Sequence, residues 1–301
     1  MLKLDEKKIR KGKPIGLPYQ GSKKKISKKI VEIIKQNFGT DKPIYDIFGG
    51  GGAITAECIL NGLEVYYNDL DKDITNAFER VISQDREWIK NLIVSREEFF
   101  EIKAKENKTT DEFLKLLVNS FGNDKKSYLY SKGVSDLKYN IAKEIIEKHD
   151  VFSGYTQTET YKRSIVKLLR LEQLERRQRF QQLEQLQQLQ QLQRLQQLQK
   201  LNKIKATNKS YHTFSDVSGA VLYLDPPYEG SHQRSYINSF DSQEFYDWAF
   251  EIAKTNIVII SSYSISDERF EVVYSFDKAH STLEGGTSNK ENEKLFMVKN
   301  S

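Results

Sequence analysis

The sequence predicts an α/β protein built around a parallel sheet. Between Lys42 and Asp69, a short apolar strand, four glycines, the helical stretch AITAECILNG and the second strand LEVYYND follow one another. A strand, turn, helix and strand within so few residues form a βαβ unit, which joins parallel strands. The alternation resumes after about residue 215, so one α/β domain is interrupted by the residues between.

Composition and length narrow the possible classes of protein. The chain has 301 residues and 38% hydrophobic residues, enough for a substantial core. No apolar run approaches the ~18 residues that span a membrane, and the N-terminus has no apolar signal segment. The single cysteine, Cys58, excludes an internal disulfide, and the four histidines lack metal-ligand spacing. We expect a cytoplasmic protein without a structural metal.

The positive charge is concentrated at the N-terminus. Residues 1–35 contain 12 Lys and Arg against 3 Asp and Glu, whereas the rest of the chain contains 35 against 39. Such a segment suits binding to a polyanion, because each cation near a phosphate releases counterions. Taken alone, the charge favours the simpler interpretation of a solvated basic tail, here assigned to residues 1–14.

Two segments make up the interruption. Residues 71–170 contain apolar positions at three- and four-residue spacing in DITNAFERVI, REEFFEIKA and TDEFLKLLVNSF, which predicts helices. Residues 171–205 are a Leu/Gln repeat in which leucine recurs at nearly every third position. On an α-helix this spacing turns the leucines gradually around the axis, so they form no coiled-coil seam. We expect a helical spacer or arm.

The remaining residues complete the sheet domain. SGAVLYLDPPY, TNIVIISSYS, FEVVYSF and EKLFMVK predict four more strands, and SQEFYDWAFEIAK predicts a helix between the first two. The catalytic domain is therefore expected to be discontinuous, with residues 15–70 and 215–301 as its two parts.

A glycine turn with two acidic residues is the first candidate site. Asp46 precedes the turn, and Asp69 ends the next strand. The dinucleotide fingerprint fails because no glycine stands at its third position, and no Lys-Ser/Thr pair completes a phosphate loop. A carboxylate at Asp69 suits ribose hydroxyls, which favours a nucleoside-bearing cofactor without a bound pyrophosphate over a merely tight turn.

The lysine-rich stretch LPYQGSKKKISKKI supplies a further candidate. If Lys23 opens a helix beside the sheet, its ammonium can reach a carboxylate or carbonyl of the cofactor site. The alternative is an exposed helix with ordinary surface lysines, and the stretch by itself favours neither.

Asp225-Pro226-Pro227-Tyr228 ends an apolar strand. Two prolines stop the strand, because each lacks an N–H. The Asp225 carboxylate and the Pro226 carbonyl can then accept the two protons of a conjugated amine, which exposes its lone pair. Tyr228 offers an aromatic face for a base. A purely structural proline turn is the alternative.

Four stretches occur in the order PYQGSKKKI, DIFGGGGA, YYND and YLDPPYEG, and this order resembles the Dam-like, alpha-type adenine-specific DNA methyltransferases. NSFGNDKKSYLYS, ISSYSISDERF and EKLFMV are similar to phage-type relatives. The resemblance covers roughly residues 15–160 and 210–300. It implies a Rossmann-like methyltransferase fold with a mainly helical target-recognition insertion at residues 71–170.

The resemblance also implies S-adenosylmethionine as the cofactor and double-stranded DNA as the partner, with direct methyl transfer to the adenine N6 nitrogen. The implied cofactor-binding residues are Tyr19, Lys23, Asp46, Phe48, Gly49, Gly51, Asp69 and Asp225. The implied catalytic residues are Asp225, Pro226, Pro227 and Tyr228.

Two alternatives stay open at this stage. The nearest is methylation of the cytosine N4 amine, and the other is a catalytically inactive DNA-binding or scaffolding protein with the same fold. A restriction endonuclease partner is possible for an enzyme of this type. No recognition sequence is assigned, because the Leu/Gln repeat lies where target-recognition elements are expected to end.

Overall fold

A computed structural model describes residues 1–19, 21–172, 183–200, 204, 206–229, 240–276 and 292–299. The chain divides into two compact units. The first comprises Met1–Pro14, Lys23–Thr75 and Lys203–Ser301, and the second comprises Ile15–Ser22 and Asn76–Asn202. Within the described ranges, no helix combines the length and the apolar character needed to cross a membrane.

The first unit is built on a mixed sheet. Over the described residues its seven strands are β1 (Ile44–Asp46), β2 (Val65–Asn68), β3 (Ala206–Thr207), β4 (Val221–Leu224), β5 (Ile257–Ser262), β6 (Phe270–Ser275) and β7 (Lys294–Val298). Their order across the sheet is β3-β2-β1-β4-β5-β7-β6, with β7 antiparallel to its two neighbours and the other pairs parallel. The α/β fold class and the six predicted strands are confirmed.

β3 is the strand that the sequence pattern did not predict. It has two residues, too few for a period-two pattern. It also precedes residue 215, the position after which we expect strands and helices to alternate again. It is held by pairing with β2, where Ala206 lies opposite Tyr67. Long-range pairing, rather than local propensity, creates this strand.

The centre of the sheet is apolar along its length. All four residues of β4 are buried, and so are five of the six residues of β5. Central parallel strands are covered on both faces and therefore read as continuous hydrophobic runs. In the register of β1 and β4, Asp46 lies opposite Tyr223, so these two strands end at the same edge of the sheet.

The helices of the first unit are α1 (Ser27–Phe38), α2 (Ala53–Leu60) and α10 (Ser242–Ile252), and α3 (Lys72–Ser83) contains the boundary between the units. The predicted helix SQEFYDWAFEIAK corresponds to α10. The Asp241 carboxylate accepts hydrogen bonds from two backbone N–H groups at the start of α10, and Phe245 and Trp248 pack into the core beside the sheet.

The basic N-terminus belongs to the folded first unit. Arg10 makes a two-pronged ion pair with Glu57 at 2.8 Å, and the Glu57 side chain is almost fully buried. The Leu2 backbone N–H donates to the Val273 carbonyl at 2.8 Å. The interpretation of residues 1–14 as a free basic tail is wrong, because a buried carboxylate needs a cation nearby.

The second unit is helical over its described residues. Its α-helices are α4 (Arg86–Lys90), α5 (Arg96–Ala104), α6 (Thr110–Val118), α7 (Ser135–Lys148), α8 (Glu159–Glu172) and α9 (Glu184–Gln197). Capping side chains mark the start of several of these helices. Ser95 caps α5, and Thr109 forms a reciprocal capping box with Glu112 at α6.

The Leu/Gln repeat forms a core helix, so the expectation of a spacer or arm is wrong for its described part. Six leucines at three-residue spacing are at most 1% exposed, namely Leu183, Leu186, Leu189, Leu192, Leu195 and Leu198. Successive members of this set lie about 60° apart around an α-helix, so they face all directions. The buried face therefore winds around α9 along its length, and α9 contacts α4 and α6.

A buried glutamine fixes the position of α9 in the second unit. The Gln185 amide Nε2 donates to the Asn119 Oδ1 at 2.6 Å and to the Val94 carbonyl at 3.1 Å. The Asn119 amide in turn donates to the Leu92 carbonyl at 2.8 Å. Because buried N–H donors need acceptors, these hydrogen bonds favour one register of the otherwise repetitive helix.

We expect Leu189→Ala to destabilise the second unit by about 2–5 kcal/mol, because it leaves a cavity in the core. Gln187 lies two residues away on the same helix and is exposed, so Gln187→Ala is the matched control. Urea unfolding of the full chain, followed by circular dichroism, measures both changes. Equal stability of the two variants would mean that α9 is a detached spacer.

Candidate active site

The candidate site lies where three parallel strands of the first unit end. β1 lies between β2 and β4, and the chain leaves β1 after Asp46, β2 after Asn68 and β4 after Leu224. The crossover from β1 leads to β2 on one side, while β4 lies on the other side. This is a topological switch point, the place at which open α/β sheets bind ligands.

The glycine turn is fastened to the end of β2. The Gly49 N–H donates to the Asn68 carbonyl at 2.8 Å, and the Tyr67 hydroxyl donates to the Gly50 carbonyl at 2.8 Å. A Cβ atom on Gly49 would lie 2.4 Å from the Tyr67 ring, too close for any side chain. Gly50 has a φ of 48°, which favours glycine. The close approach of turn and strand therefore requires these glycines.

Asp69 holds the same turn from the strand side. Its Oδ2 accepts a hydrogen bond from the Gly50 N–H at 2.7 Å, and its Oδ1 accepts one from the Asp71 N–H at 2.8 Å. Burial raises the pKa of Asp69 to about 6, although these two hydrogen bonds oppose the rise. The carboxylate stays half-buried beside the turn.

Asp46 is buried below the turn. It is 1% exposed and accepts hydrogen bonds from the Thr55 backbone N–H at 3.1 Å and the Thr55 hydroxyl at 2.6 Å. Burial raises the pKa of Asp46 to about 7, and the two hydrogen bonds oppose the rise. Asp46 thus joins the end of β1 to the first turn of α2, and its contact with a cofactor stays a prediction.

Lys23 meets Asp225 and Tyr228 after a separation of about two hundred residues. Its ammonium donates to the Asp225 Oδ1 at 2.7 Å and to the Tyr228 hydroxyl at 2.5 Å. Lys23 begins a short 3₁₀ turn ahead of α1, and its side chain is 12% exposed. The hypothesis that Lys23 reaches a carboxylate is confirmed, and the alternative of an ordinary surface lysine is wrong for this residue.

Burial is the largest influence on the pKa values of Lys23 and Asp225. Burial lowers the pKa of Lys23, but attraction to Asp225 and Glu293 and the hydrogen bond to Asp225 outweigh that effect, so the pKa is raised. Burial raises the pKa of Asp225, and the Lys23 ammonium only partly opposes the rise. At 2.7 Å between Nζ and Oδ1, we regard both groups as ionised.

Glu293 joins Lys23, Asp225 and Tyr228 as the fourth member of an ion cluster. Motif spacing did not identify this glutamate. It lies directly before β7, at the start of the stretch EKLFMV. Its Oε1 accepts hydrogen bonds from the Tyr228 and Ser261 hydroxyls, each at 2.7 Å, and lies 3.7 Å from the Lys23 ammonium. A lone glutamate ahead of a strand has no local signature, so only the sheet brings it here.

The other residues predicted for the site differ in their burial and in the unit to which they belong. Phe48 is half-buried and packs edge-on against the Phe245 ring, with centroids 5.7 Å apart. Gly51 and Pro226 are buried and Pro227 is half-buried. Tyr19 belongs to the second unit, so its predicted cofactor contact stays a prediction.

The described residues contain no cluster of three or more histidine, cysteine or acidic side chains able to hold a metal ion. What they do contain is a sheet edge with hydrogen-bond acceptors, one ammonium and the aromatic ring of Tyr228. The Tyr263 ring meets the Tyr228 ring edge-on, with centroids 4.7 Å apart.

Known proteins match this chain at two levels. Among solved structures, the rRNA methyltransferase aviRa from Streptomyces viridochromogenes is similar with 11% sequence identity and a TM-score of 0.35, over 90% of this chain and 84% of that chain. That likeness is too distant to inform the site. A comparison with curated proteins gave no match. In contrast, residues 19–296 match the family model of the D12 class N6 adenine-specific DNA methyltransferases. Since that match spans nearly the whole chain, the protein belongs to the D12 class N6 adenine-specific DNA methyltransferase family.

Proposed function

We propose that this enzyme transfers a methyl group from S-adenosylmethionine to the N6 amine of adenine in double-stranded DNA, at the edge where β1 and β4 end. Family membership establishes the activity class, adenine N6 methylation of DNA. The observation that carries the assignment of the site is the contact of Lys23 with both Asp225 and Tyr228. The cofactor and the role of each residue are the proposed part.

The cofactor half of the site is the glycine turn with Asp69. Gly49 lets the turn lie directly against the end of β2, and the Asp69 carboxylate beside the turn can accept hydrogen bonds from ribose hydroxyls. The nearby Asp225 and Glu293 carry two negative charges against the single positive charge of Lys23. An excess of negative charge suits a cationic sulfonium, so the residues fit the proposed cofactor.

When bound, S-adenosylmethionine supplies an electrophilic methyl group. The chain's own task is to prepare the amine of adenine, whose lone pair is delocalised into the ring. Asp225 can accept one amine proton at the end of β4. The Pro226 carbonyl can accept the other, and no backbone N–H of the described residues donates to that carbonyl. Two acceptors draw the nitrogen toward a tetrahedral geometry with its lone pair free to attack.

Positioning completes the proposed mechanism. Tyr228 presents its ring for stacking with the flipped base, and its hydroxyl is held by Lys23 and Glu293, which limits rotation of the ring. The new carbon–nitrogen bond would form as the donor's carbon–sulfur bond breaks and the sulfonium becomes a neutral thioether. The nitrogen would then carry the positive charge until its surplus proton leaves. Asp225 is the nearest proposed acceptor, and its raised pKa makes it a better base than an ordinary aspartate.

The family match disfavours the two alternatives, transfer to the cytosine N4 amine and a non-catalytic DNA-binding protein. An inactive scaffold would also have no need for an ion cluster at the switch point. A restriction endonuclease partner, a phage-type origin and a cytoplasmic location stay predictions.

Asp225→Ala is expected to lower the rate of methyl transfer about 10²- to 10⁴-fold, since it removes the main acceptor for the amine. The measurement is incorporation of tritiated methyl groups into DNA that lacks N6-methyladenine, followed by nucleoside analysis. Glu271→Ala changes an exposed carboxylate of β6 in the same sheet and is the control. Transfer by Asp225→Ala at the control's rate, or label in N4-methylcytosine, would contradict the proposal.

Cofactor affinity should depend on pH through Asp69. The ionised carboxylate is the better acceptor for ribose hydroxyls, so binding is strong above a pKa of about 6 and weakens as the pH falls through it. Calorimetric titration with S-adenosylmethionine between pH 5 and 8 should show this step. Asp69→Asn should bind about 10-fold more weakly at pH 7.5 and lack the step. A step of the same size in Asp69→Asn would assign the titration to another group.

A further inference from the structure

Lys23 is placed between two carboxylates that differ in their distance from it. Its ammonium is 2.7 Å from the Asp225 Oδ1 and 3.7 Å from the Glu293 Oε1. The side chains of Asp225 and Glu293 are 17% and 14% exposed, so both are largely removed from water. A lysine buried to this degree must keep an anionic partner, because an unpaired buried charge is strongly destabilising.

In the proposed reaction, the adenine amine and the Lys23 ammonium compete for the Asp225 carboxylate. The adenine amine needs an oxygen of Asp225 as its acceptor, while the lysine ammonium already donates to that carboxylate. A hydrogen bond from the Lys23 ammonium draws electron density from the Asp225 carboxylate, which must polarise the amine. The ammonium must therefore weaken its bond with Asp225 as the base enters, and it needs another partner within reach.

Glu293 is the available partner. A shift of about 1 Å would bring the ammonium from 3.7 Å to hydrogen-bond distance of the Glu293 Oε1, a movement within the reach of lysine rotamers. Glu293 is itself held in place by the Ser261 hydroxyl on β5, and it holds the Tyr228 hydroxyl. One carboxylate thus contacts the tyrosine and lies next to the lysine of the cluster.

We propose that Glu293 is a positioning residue for adenine methylation: it fixes the Tyr228 ring and receives the Lys23 ammonium when the adenine amine binds to Asp225. This inference rests on the proposed site. Glu293 touches neither base nor cofactor in this account and acts through Lys23 and Tyr228. Its negative charge is the essential property, because a neutral acceptor could hold the tyrosine but would compete poorly for the ammonium.

The chain offers variants that separate these roles. Glu293→Gln keeps the size and an acceptor for Tyr228 but removes the charge, so Lys23 stays on Asp225. Glu271→Gln makes the same chemical change on an exposed position of β6 and is the matched control.

Initial rates of methyl transfer, with saturating S-adenosylmethionine and a range of concentrations of DNA lacking N6-methyladenine, give kcat and KM for each variant. Glu293→Gln is expected to lower kcat about 10-fold or more, with Glu271→Gln within about threefold of the unaltered enzyme. The Kd for S-adenosylmethionine and the Tm should stay unchanged in both variants. A kcat of Glu293→Gln near that of Glu271→Gln, or a loss that parallels a fall in Tm, would overturn the proposal.

A second comparison tests whether the effect runs through the lysine. In a Lys23→Met background there is no ammonium to transfer, so adding Glu293→Gln should lower the remaining kcat by less than about threefold. A full 10-fold further loss would overturn the role of the lysine. Failure of the proposed function has a different signature, because the unaltered enzyme would then form no N6-methyladenine in the same assay.

Discussion

The site depends on one constraint, the parallel pairing of β1 with β4. These strands are far apart in sequence, yet their register places Asp46 opposite Tyr223, so the glycine turn and Asp225 leave the sheet side by side. Parallel strands deliver their carboxyl ends to one edge, and a switch in strand order opens a crevice there. That pairing places the glycine turn beside Asp225, while hydrogen bonds from the end of β2 fasten the turn and β7 brings Glu293 to Tyr228.

The charged groups at this edge of the sheet depend on one another. A largely buried lysine costs free energy unless it is paired, and here two carboxylates and a phenol surround it. The cluster retains a net negative charge, which suits a cationic methyl donor. The same groups that stabilise the lysine therefore also shape the electrostatics of the proposed reaction, and a change at one of them is felt by the others.

The Leu/Gln repeat shows how one pattern supports opposite interpretations. Three-residue spacing places leucines all around a helix, and this excludes a seam with a single partner. It does not exclude burial, because a helix whose apolar face winds around it can pack against different neighbours along its length. α9 is such a helix, and Gln185 with its hydrogen bonds to Asn119 and Val94 supplies the register that leucines alone leave undefined.

Local sequence determined much of this protein. The ordered motifs point to Lys23, Asp225 and Tyr228 only through the family that they resemble. Continuous apolar runs predict β4 and β5, and amphipathic spacing predicts α5 and α6. Those features depend on the side chains of neighbouring residues, which the sequence displays directly. The contact of Glu293 with Tyr228, the two-residue strand β3 and the burial of the repeat depend instead on groups that are distant along the chain. Only the tertiary structure decides which distant groups meet, because that choice is made by packing and strand pairing together.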